Sequence, residues 1–286
     1  MASVATTYVE QTVEMMCALL EQGVEPWQRG YNPELASPHN AHTGRAYRGG
    51  NVLRLMLRAK EMGFGPGGGL TFQQALQRGG AVKKGEKGCA ILAFGAARRE
   101  EEQAGEGKGR LRSFARAAHV FHISQCEGLE GLCPVAEPME GLAAKLIEAH
   151  GVQVEQGPRP CYVPLLDVVE MPPAASYDDP TRREAVLLHE LVHWSGAVGR
   201  LHRSFGRWGE AAYAFEELVA ELGAATLCRH AGLPGLAMQA AYVEHWLTHL
   251  KADPQLLWHV MRLAEEAVAY LLAPLDAELA ALDDVA

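Results

Sequence analysis

The chain has 286 residues, of which 48% are hydrophobic and 21% are charged, values that are ordinary for a folded globular protein. These values exclude wholesale disorder, and the absence of a long uncharged apolar stretch predicts no transmembrane helix and no membrane partner. The six cysteines are scattered without a C-x-x-C pair, and the N-terminus lacks the pattern of a secretory signal. The composition therefore favours reduced thiols and a cytoplasmic protein.

Charge is distributed unevenly along the chain. The net charge is −9, yet residues 29–99 hold 12 basic and 3 acidic side chains, whereas residues 131–286 carry a net charge of −12. A basic front half followed by an acidic back half predicts two domains with different partners. Concentrated positive charge attracts polyanions, most commonly nucleic acid, and the alternative is a solvated basic face without a ligand.

The front half combines predicted helices and strands. Helical periodicity predicts a first helix over residues 5–23, a second over 51–62, and a short third helix with Thr71 as its N-cap. Two strands are predicted at 89–94 and 118–124, joined by an exposed polar loop.

The back half begins after a segment rich in glycine and proline. This segment, residues 127–139, is predicted to be a linker. A helix over 140–150 and one or two strands within 161–171 follow, and the pattern from residue 180 to the end is almost wholly helical. The sequence therefore predicts an α+β fold in which a front domain, 1–126, and a mostly helical back domain, 140–286, flank the linker.

One motif in the back half carries chemistry. The segment AVLLHELVHW at 185–194 contains the pattern H-E-x-x-H as His189, Glu190 and His193. On a helix, positions i and i+4 share a face, so the two imidazoles can bind one Zn²⁺ while the intervening glutamate serves as general base of a metallopeptidase. Asp178 or Asp179 is predicted to cap this helix, and the sequence WSG predicts its end.

A zinc hydrolase needs a third protein ligand. The metzincin spacing would place a histidine where the chain has Gly199, so that class is excluded. The predicted helix at 215–227 instead offers Glu217 and Glu221 on one face, where one can bind the metal and the other can orient a ligand histidine. Glu216 points about 100° away from Glu217 and is expected to face solvent. A charged helix surface without a metal is the alternative.

Two sets of sequence blocks resemble the ArdC-type antirestriction proteins. In the back half, HELVHWSG, RLHR and EELVAELGAA are similar to the zincin-like metallopeptidase domain of that family. In the front half, PWQ, TGRAYRGGNVLRL, LTFQQALQRGGAVKKGEKG and HVFHISQCEGL are similar to its single-stranded-DNA-binding domain. The resemblance implies a plasmid- or phage-borne protein that protects incoming DNA, as in conjugation, from host restriction.

The resemblance also implies roles for individual residues. It implies that His189, His193 and Glu217 hold the metal and that Glu190 is the catalytic base. Glu221 then resembles the carboxylate that orients a ligand histidine. Zn²⁺ is the expected ion, although a site of two histidines and a glutamate also accepts Mn²⁺ and other divalent ions.

The front half has the composition of a single-strand binder, because such sites combine a cationic groove with aromatic platforms for bases. Tyr47 lies between two arginines and is predicted to be the best surface platform, whereas Trp27 and Phe72 are more often core residues. The charged residues that we predict to contact DNA are Arg45, Arg48, Lys83, Lys84 and Lys87.

The residues leave three interpretations. The first is a metallopeptidase that binds single-stranded DNA, with a host restriction enzyme or another DNA-bound protein as substrate. The second is a DNA-binding antirestriction factor whose metal site is structural, and the third is a protease with an incidental basic surface.

Overall fold

The structure is a computed structural model that describes residues 4–21, 38–45, 47, 50–64, 68–98, 111–129, 132, 139–206, 211–233 and 250–283. The helices are α1 (Val4–Glu21), α2 (Gly50–Met62), α3 (Phe72–Gln77), α4 (Leu142–His150), α5 (Pro180–Ser195), α6 (Ala211–His230) and α7 (Gln255–Asp283). The strands are β1 (Gly69–Thr71), β2 (Ala81–Val82), β3 (Cys89–Arg98), β4 (Leu111–His122), β5 (Cys126–Glu127), β6 (Gln153–Gln156), β7 (Cys161–Val163) and β8 (Val168–Met171). The fold is α+β, as predicted.

The front half is built on an antiparallel sheet with the strand order β1-β4-β3. Strands β3 and β4 pair continuously from Cys89 opposite Val120 to Arg98 opposite Leu111. Both strands therefore extend into the region that was predicted to be loop. Main-chain pairing does not depend on apolar side chains, so the ribbon continues beyond the apolar segments on which the prediction rested.

Helix α3 begins where the sequence predicted. The Thr71 hydroxyl accepts a hydrogen bond from the amide of Gln74 at 3.3 Å, and the Gln74 side chain accepts one from the amide of Thr71 at 2.9 Å. These reciprocal bonds form a capping box. Asn40 donates to the same Gln74 oxygen at 3.1 Å, and this bond ties the preceding turn to α3.

The back half places a small sheet beside α5. Strand β8 pairs in parallel with β6 and antiparallel with β7, giving the order β6-β8-β7. Helix α5 packs against β7, β8 and α6. Its N-cap is Asp179, whose carboxylate accepts from the amide of Thr181 at 2.8 Å, and its C-cap is Gly196. Both ends agree with the prediction.

The two halves share one hydrophobic core. Tyr8 and Met16 of α1 belong to the same buried cluster as Leu188 of α5 and Leu218 of α6. The connection runs through α7, whose Leu271 is fully buried in this cluster. The domain limits at 126 and 140 stay a prediction. The front half has two smaller buried clusters of its own, around Leu70 and around Ile91, but its first two helices are buried together with the back half.

Close contact between α2 and α7 reinforces this junction. A Cβ atom at Gly50 would lie 3.0 Å from Met261 Cε and 3.1 Å from Trp258 Cζ3, so a side chain at position 50 would require side chains of α7 to shift. The ring of Trp258 also meets that of Tyr8 edge-on, with centroids 6.1 Å apart. Of the helices that the structure describes, none combines the length and the apolar character needed to cross a bilayer.

Candidate metal centre

The two histidines of the H-E-x-x-H pattern lie on one face of α5. Their Nε2 atoms are 3.1 Å apart, and both side chains are buried. At this distance the Nε2–H of one neutral imidazole can donate to Nε2 of the other, or both Nε2 lone pairs can point at one cation between them. The pair is therefore arranged so that both Nε2 atoms can bind the same ion.

Glu217 completes this arrangement from α6. Its carboxylate oxygens lie 3.6 Å from Nε2 of His189 and 3.7 Å from Nε2 of His193. Ligands of a tetrahedral ion with bonds of about 2.0–2.1 Å are themselves about 3.3 Å apart. Within the described part of the chain, these three residues are the group of histidine, cysteine and acidic side chains that converges closely enough to hold a metal ion. Two imidazole nitrogens and one carboxylate oxygen fit a divalent cation such as Zn²⁺.

The electrostatics of these groups agree with a cation site. Burial alone would lower the pKa of His189, but a hydrogen bond with Glu217 and the charges of Glu221, Glu190 and Glu217 raise it to about 9. Burial alone would raise the pKa of Glu217, but a hydrogen bond with His189 and the charge of His193 lower it to about 2, helped by a hydrogen bond from Tyr213. The surroundings therefore favour positive charge at this point.

Glu190 is fixed by the backbone of the neighbouring strand. The amide of Tyr162 in β7 donates to Oε2 of Glu190 at 2.9 Å, and Glu190 is buried. This amide faces α5 and not β8, so the hydrogen bond positions the carboxylate independently of the side chain at residue 162. Glu190 follows His189 directly in the chain, and its charge contributes to the raised pKa of His189.

Glu216 corrects a prediction, because it is buried and does not face solvent. Its Oε1 atom lies 3.2 Å from Nδ1 of His193, the nitrogen on the far side of the ring from Glu217. Glu216 is therefore a carboxylate that contacts a ligand histidine from behind, and the same role for Glu221 stays a prediction. Helix α6 crosses α5 so that neighbouring residues of α6 reach opposite sides of the same imidazole. Glu221 acts on His189 through its charge.

Arg203 holds Glu216 in place. Its guanidinium donates to Glu216 Oε2 at 3.0 Å from Nε and to Oε1 at 2.8 Å from Nη2. The same group donates to the carbonyl of Val192 at 2.6 Å and to the hydroxyl of Ser195 at 3.1 Å, which closes the C-terminal turn of α5. Arg203 belongs to the RLHR block, but neither periodicity nor ligand spacing in the sequence indicates its role.

The predicted DNA-contacting lysines lie in an exposed turn. This turn joins β2 to β3 and is shaped by Gly85, whose φ of +89° is in the left-handed region. The exposed cationic residues of the prediction are Arg45, Lys83, Lys84 and Lys87. Arg48 and Trp27 lie outside the described residues. Arg54, by contrast, is buried and donates to the carbonyl of Tyr8 at 2.9 Å, so its charge serves helix packing.

The order of the aromatic candidates is reversed. The Tyr47 hydroxyl donates to the carbonyl of Gly69 at 3.0 Å, and burial raises its pKa to about 12. Phe72, which was expected to be a core residue, is 51% exposed on α3. Phe72 is thus the more accessible ring, and Tyr47 serves the packing of its turn.

Two protein-family models match the chain. Residues 6–121 match the N-terminal domain of anti-restriction factor ArdC. Residues 142–262 match the zincin-like metallopeptidase family, and this match includes the whole His–Glu cluster.

Relatives of known sequence or structure give a consistent result. An uncharacterised protein of Sinorhizobium fredii is 30% identical over 284 residues, which cover 94% of this chain and 92% of that protein. A DNA primase, TraC of Escherichia coli, is 30% identical over 301 residues, but the match covers only 28% of the primase. Crystal structures of the antirestriction ArdC protein from plasmid R388, metal-free and Mn(II)-bound, match with a TM-score of 0.77 at 33% and 32% identity. Both cover 93% of this chain and 97% of the solved one.

Proposed function

The chain belongs to the ArdC antirestriction family, and from this membership and the geometry of its metal centre we propose that it protects incoming plasmid or phage DNA from host restriction. In this proposal the front half binds single-stranded DNA, and the back half acts as a metallopeptidase. The observation that carries the proposal is the convergence of His189, His193 and Glu217, with Glu190 beside them.

The residues of the metal centre have separable roles in this proposal. A divalent ion held by His189, His193 and Glu217 would supply Lewis acidity toward a peptide carbonyl. Glu190 would accept a proton at a carboxylate oxygen from the water that attacks the peptide carbonyl, and it would return this proton to the amine that leaves as the C–N bond breaks. The amide of Tyr162 keeps Glu190 in one orientation. We propose Zn²⁺ from the donor set, and the Mn(II)-bound relative supports a divalent ion more generally.

The front half supports the DNA part of the proposal. It matches the N-terminal ArdC domain and presents exposed cations at Arg45 and in the turn that holds Lys83, Lys84 and Lys87. Single-strand binders combine such charge with accessible rings, and Phe72 supplies one. The net charge of −12 over residues 131–286 would keep DNA away from the metal centre.

In this proposal, DNA binding by the front half increases the chance that the metal centre meets its protein substrate. DNA on the front half would bring the metal centre close to a restriction enzyme, or another protein, bound to the same strand. Tethering two partners to one scaffold raises their encounter rate without any new contact.

A plasmid-transfer assay into restricting and non-restricting recipients tests the proposal. Glu190→Gln keeps an oxygen that can accept from Tyr162 and leaves the three metal-binding side chains intact, so it should bind metal yet lose protection. A second variant, Lys83→Ala with Lys84→Ala and Lys87→Ala, should lose protection through weaker DNA binding. Full protection by Glu190→Gln would contradict the peptidase role and favour DNA coating with a structural metal.

A further inference from the structure

The most exposed large apolar side chains of the described chain lie in two turns of the back half. Leu165 is 97% exposed and Leu166 is 66% exposed, both in the turn between β7 and β8. Val198, in the loop that follows α5, is 75% exposed. Single exposed apolar residues are common, but several in neighbouring turns indicate an interaction site. We refer to Leu165, Leu166 and Val198 as the two-turn patch.

Hydrogen bonds hold the two turns side by side. Arg200, two residues after Val198, donates from Nη1 to Asp167 Oδ2 at 3.0 Å. The hydroxyl of Tyr162 donates to the other oxygen of Asp167 at 2.8 Å, and Nε of Arg200 donates to the carbonyl of Trp194 at 2.7 Å. The loop after α5 is thereby attached to the turn that carries the two leucines.

The backbone of both turns is in an uncommon conformation. Among the described non-glycine residues, Asp167 with a φ of 54° and His202 with a φ of 52° are those with positive φ. Such conformations cost free energy, persist where surrounding contacts enforce them, and are concentrated at functional sites. The turns are thus held in shape while their apolar side chains face solvent.

The two turns that carry the patch are connected to elements of the metal centre. Tyr162 precedes Leu165 by three residues in the same hairpin, and its amide contacts Glu190. On the other side, Val198 lies in the loop between His193 and Arg203, and Arg203 holds Glu216. The patch therefore lies on two turns that are connected to the elements holding Glu190 and His193.

We propose that the two-turn patch docks an apolar segment of the polypeptide on which the metal centre acts. This inference rests on the proposed peptidase function and adds to it a preference for apolar side chains beside the reacting peptide. Nucleic acid does not fit this position, because the patch is uncharged and the surrounding half of the chain carries a net charge of −12. A polypeptide supplies both apolar side chains for the patch and a peptide bond for the adjacent site.

Peptide binding to a hydrolysis-blocked chain tests this proposal. The full chain carrying Glu190→Gln and loaded with Mn²⁺ is used to select from a phage-displayed library of random peptides. The affinity of the most enriched peptide, labelled with fluorescein, is then measured by anisotropy. We expect enriched peptides to contain large aliphatic or aromatic residues, and Leu165→Ser with Leu166→Ser to weaken binding by about tenfold or more. The matched control, Met62→Ser with Leu76→Ser, replaces two exposed apolar residues elsewhere and should leave the affinity unchanged.

Three results would overturn the proposal. They are equal affinity in the two double variants, a loss of Mn²⁺ affinity in Leu165→Ser with Leu166→Ser, and a concentration-dependent dimer that this variant abolishes in light scattering. The last result would assign the patch to a second copy of the chain. Because binding is measured without hydrolysis, a failure of the peptidase proposal in the transfer assay is distinguishable from a failure of docking.

Discussion

Glu216 is a buried carboxylate, and burying a charge costs free energy. It lies between the Nδ1 atom of His193 and the guanidinium of Arg203. Burial alone would raise its pKa, but the hydrogen bonds and charges of these two partners lower it, so the group stays ionised. An ionised carboxylate behind a ligand imidazole fixes the orientation of the ring and increases its basicity. The position of His193 therefore depends on Arg203, which does not contact the metal cluster itself.

The role of Glu216 can be measured as metal affinity. Glu216→Gln should weaken Mn²⁺ binding about 10- to 100-fold, because the neutral amide no longer supports the charge and orientation of His193. Isothermal titration of the full chain with Mn²⁺ checks this result. Arg203→Met alone would leave the buried carboxylate of Glu216 without its guanidinium partner, so the companion variant is Arg203→Met with Glu216→Leu.

The matched control for this prediction is Arg200→Met. Arg200 lies in the same loop but contacts Asp167 and the carbonyl of Trp194, not Glu216. The Arg200→Met substitution should lower the stability of the protein without changing its Mn²⁺ affinity. An equal loss of affinity in Arg200→Met and the Arg203 variant would mean that the loop, and not the Glu216 contact, supports the site.

At the residue scale, the sequence predicted the residues whose spacing is local. His189, Glu190 and His193 follow from one helical turn, and Glu217 from the family resemblance. Glu216 and Arg203 could not be predicted in the same way, because their roles depend on how α6 crosses α5 and on a loop that turns back over the end of α5. Tyr47 was misjudged because flanking arginines indicate charge and not the exposure of the ring between them.

At the scale of elements, capping signals predicted helix ends well, whereas strand lengths and interhelical contacts were not predicted. Thr71 and Asp179 cap their helices through local hydrogen bonds that the sequence specifies directly. The extension of β3 and β4 depends on main-chain pairing between two segments. The contact of α2 with α7 joins residues that are far apart in the chain, and no sequence pattern near Gly50 predicts this contact.

The contact at Gly50 predicts a position-specific loss of stability. Gly50→Ala would place a methyl group 3.0 Å from Met261 and 3.1 Å from Trp258, which is tighter than ordinary packing. Overpacking of this kind should lower the free energy of unfolding by about 1–3 kcal/mol. Urea unfolding of the full chain measures it. Gly199→Ala is the control, since its Cβ would meet no atom within 4 Å, and an equal effect of both substitutions would contradict the assigned contact.

The turn between β7 and β8 predicts a pH-dependent contribution to stability. The hydrogen bond from Arg200 holds the pKa of Asp167 below its usual range. Because the folded-state pKa is lowered, the contribution is present above the unfolded-state value of about 3.9 and is lost as the pH falls through the folded-state pKa. Asp167→Asn should thus be less stable than wild type at neutral pH, and the difference should shrink in acid. Urea unfolding of both proteins at neutral and at acidic pH measures the difference in stability. A difference that is constant with pH would contradict the ion pair.

At the scale of the whole molecule, charge predicted two functional halves, but it did not predict that they share a core. Tyr8 and Met16 of the front half are buried in a cluster that extends to α7. A front half expressed alone would expose these side chains, so DNA binding is best measured on the full chain. The segment beyond residue 230 carried no recognisable block, yet its helix α7 joins the two halves.

DNA binding by the full chain should depend strongly on salt. Each phosphate neutralised on a single strand contributes about 0.7 to the slope of log affinity against log salt. Replacing Lys83, Lys84 and Lys87 by alanine should therefore reduce the magnitude of the slope by about 2. Anisotropy titrations of a labelled single-stranded oligonucleotide measure it. A slope equal to that of wild type would remove this turn from the DNA interface.

The central claim is that His189, His193 and Glu217 hold one divalent ion, and anomalous diffraction from a crystal of the Mn²⁺-loaded full chain tests it most directly. We expect one strong anomalous peak bonded to Nε2 of both histidines and to a carboxylate oxygen of Glu217, with Glu216 on the far side of His193. A peak bonded to Glu221 in place of Glu217, or no peak between the two histidines, would contradict it.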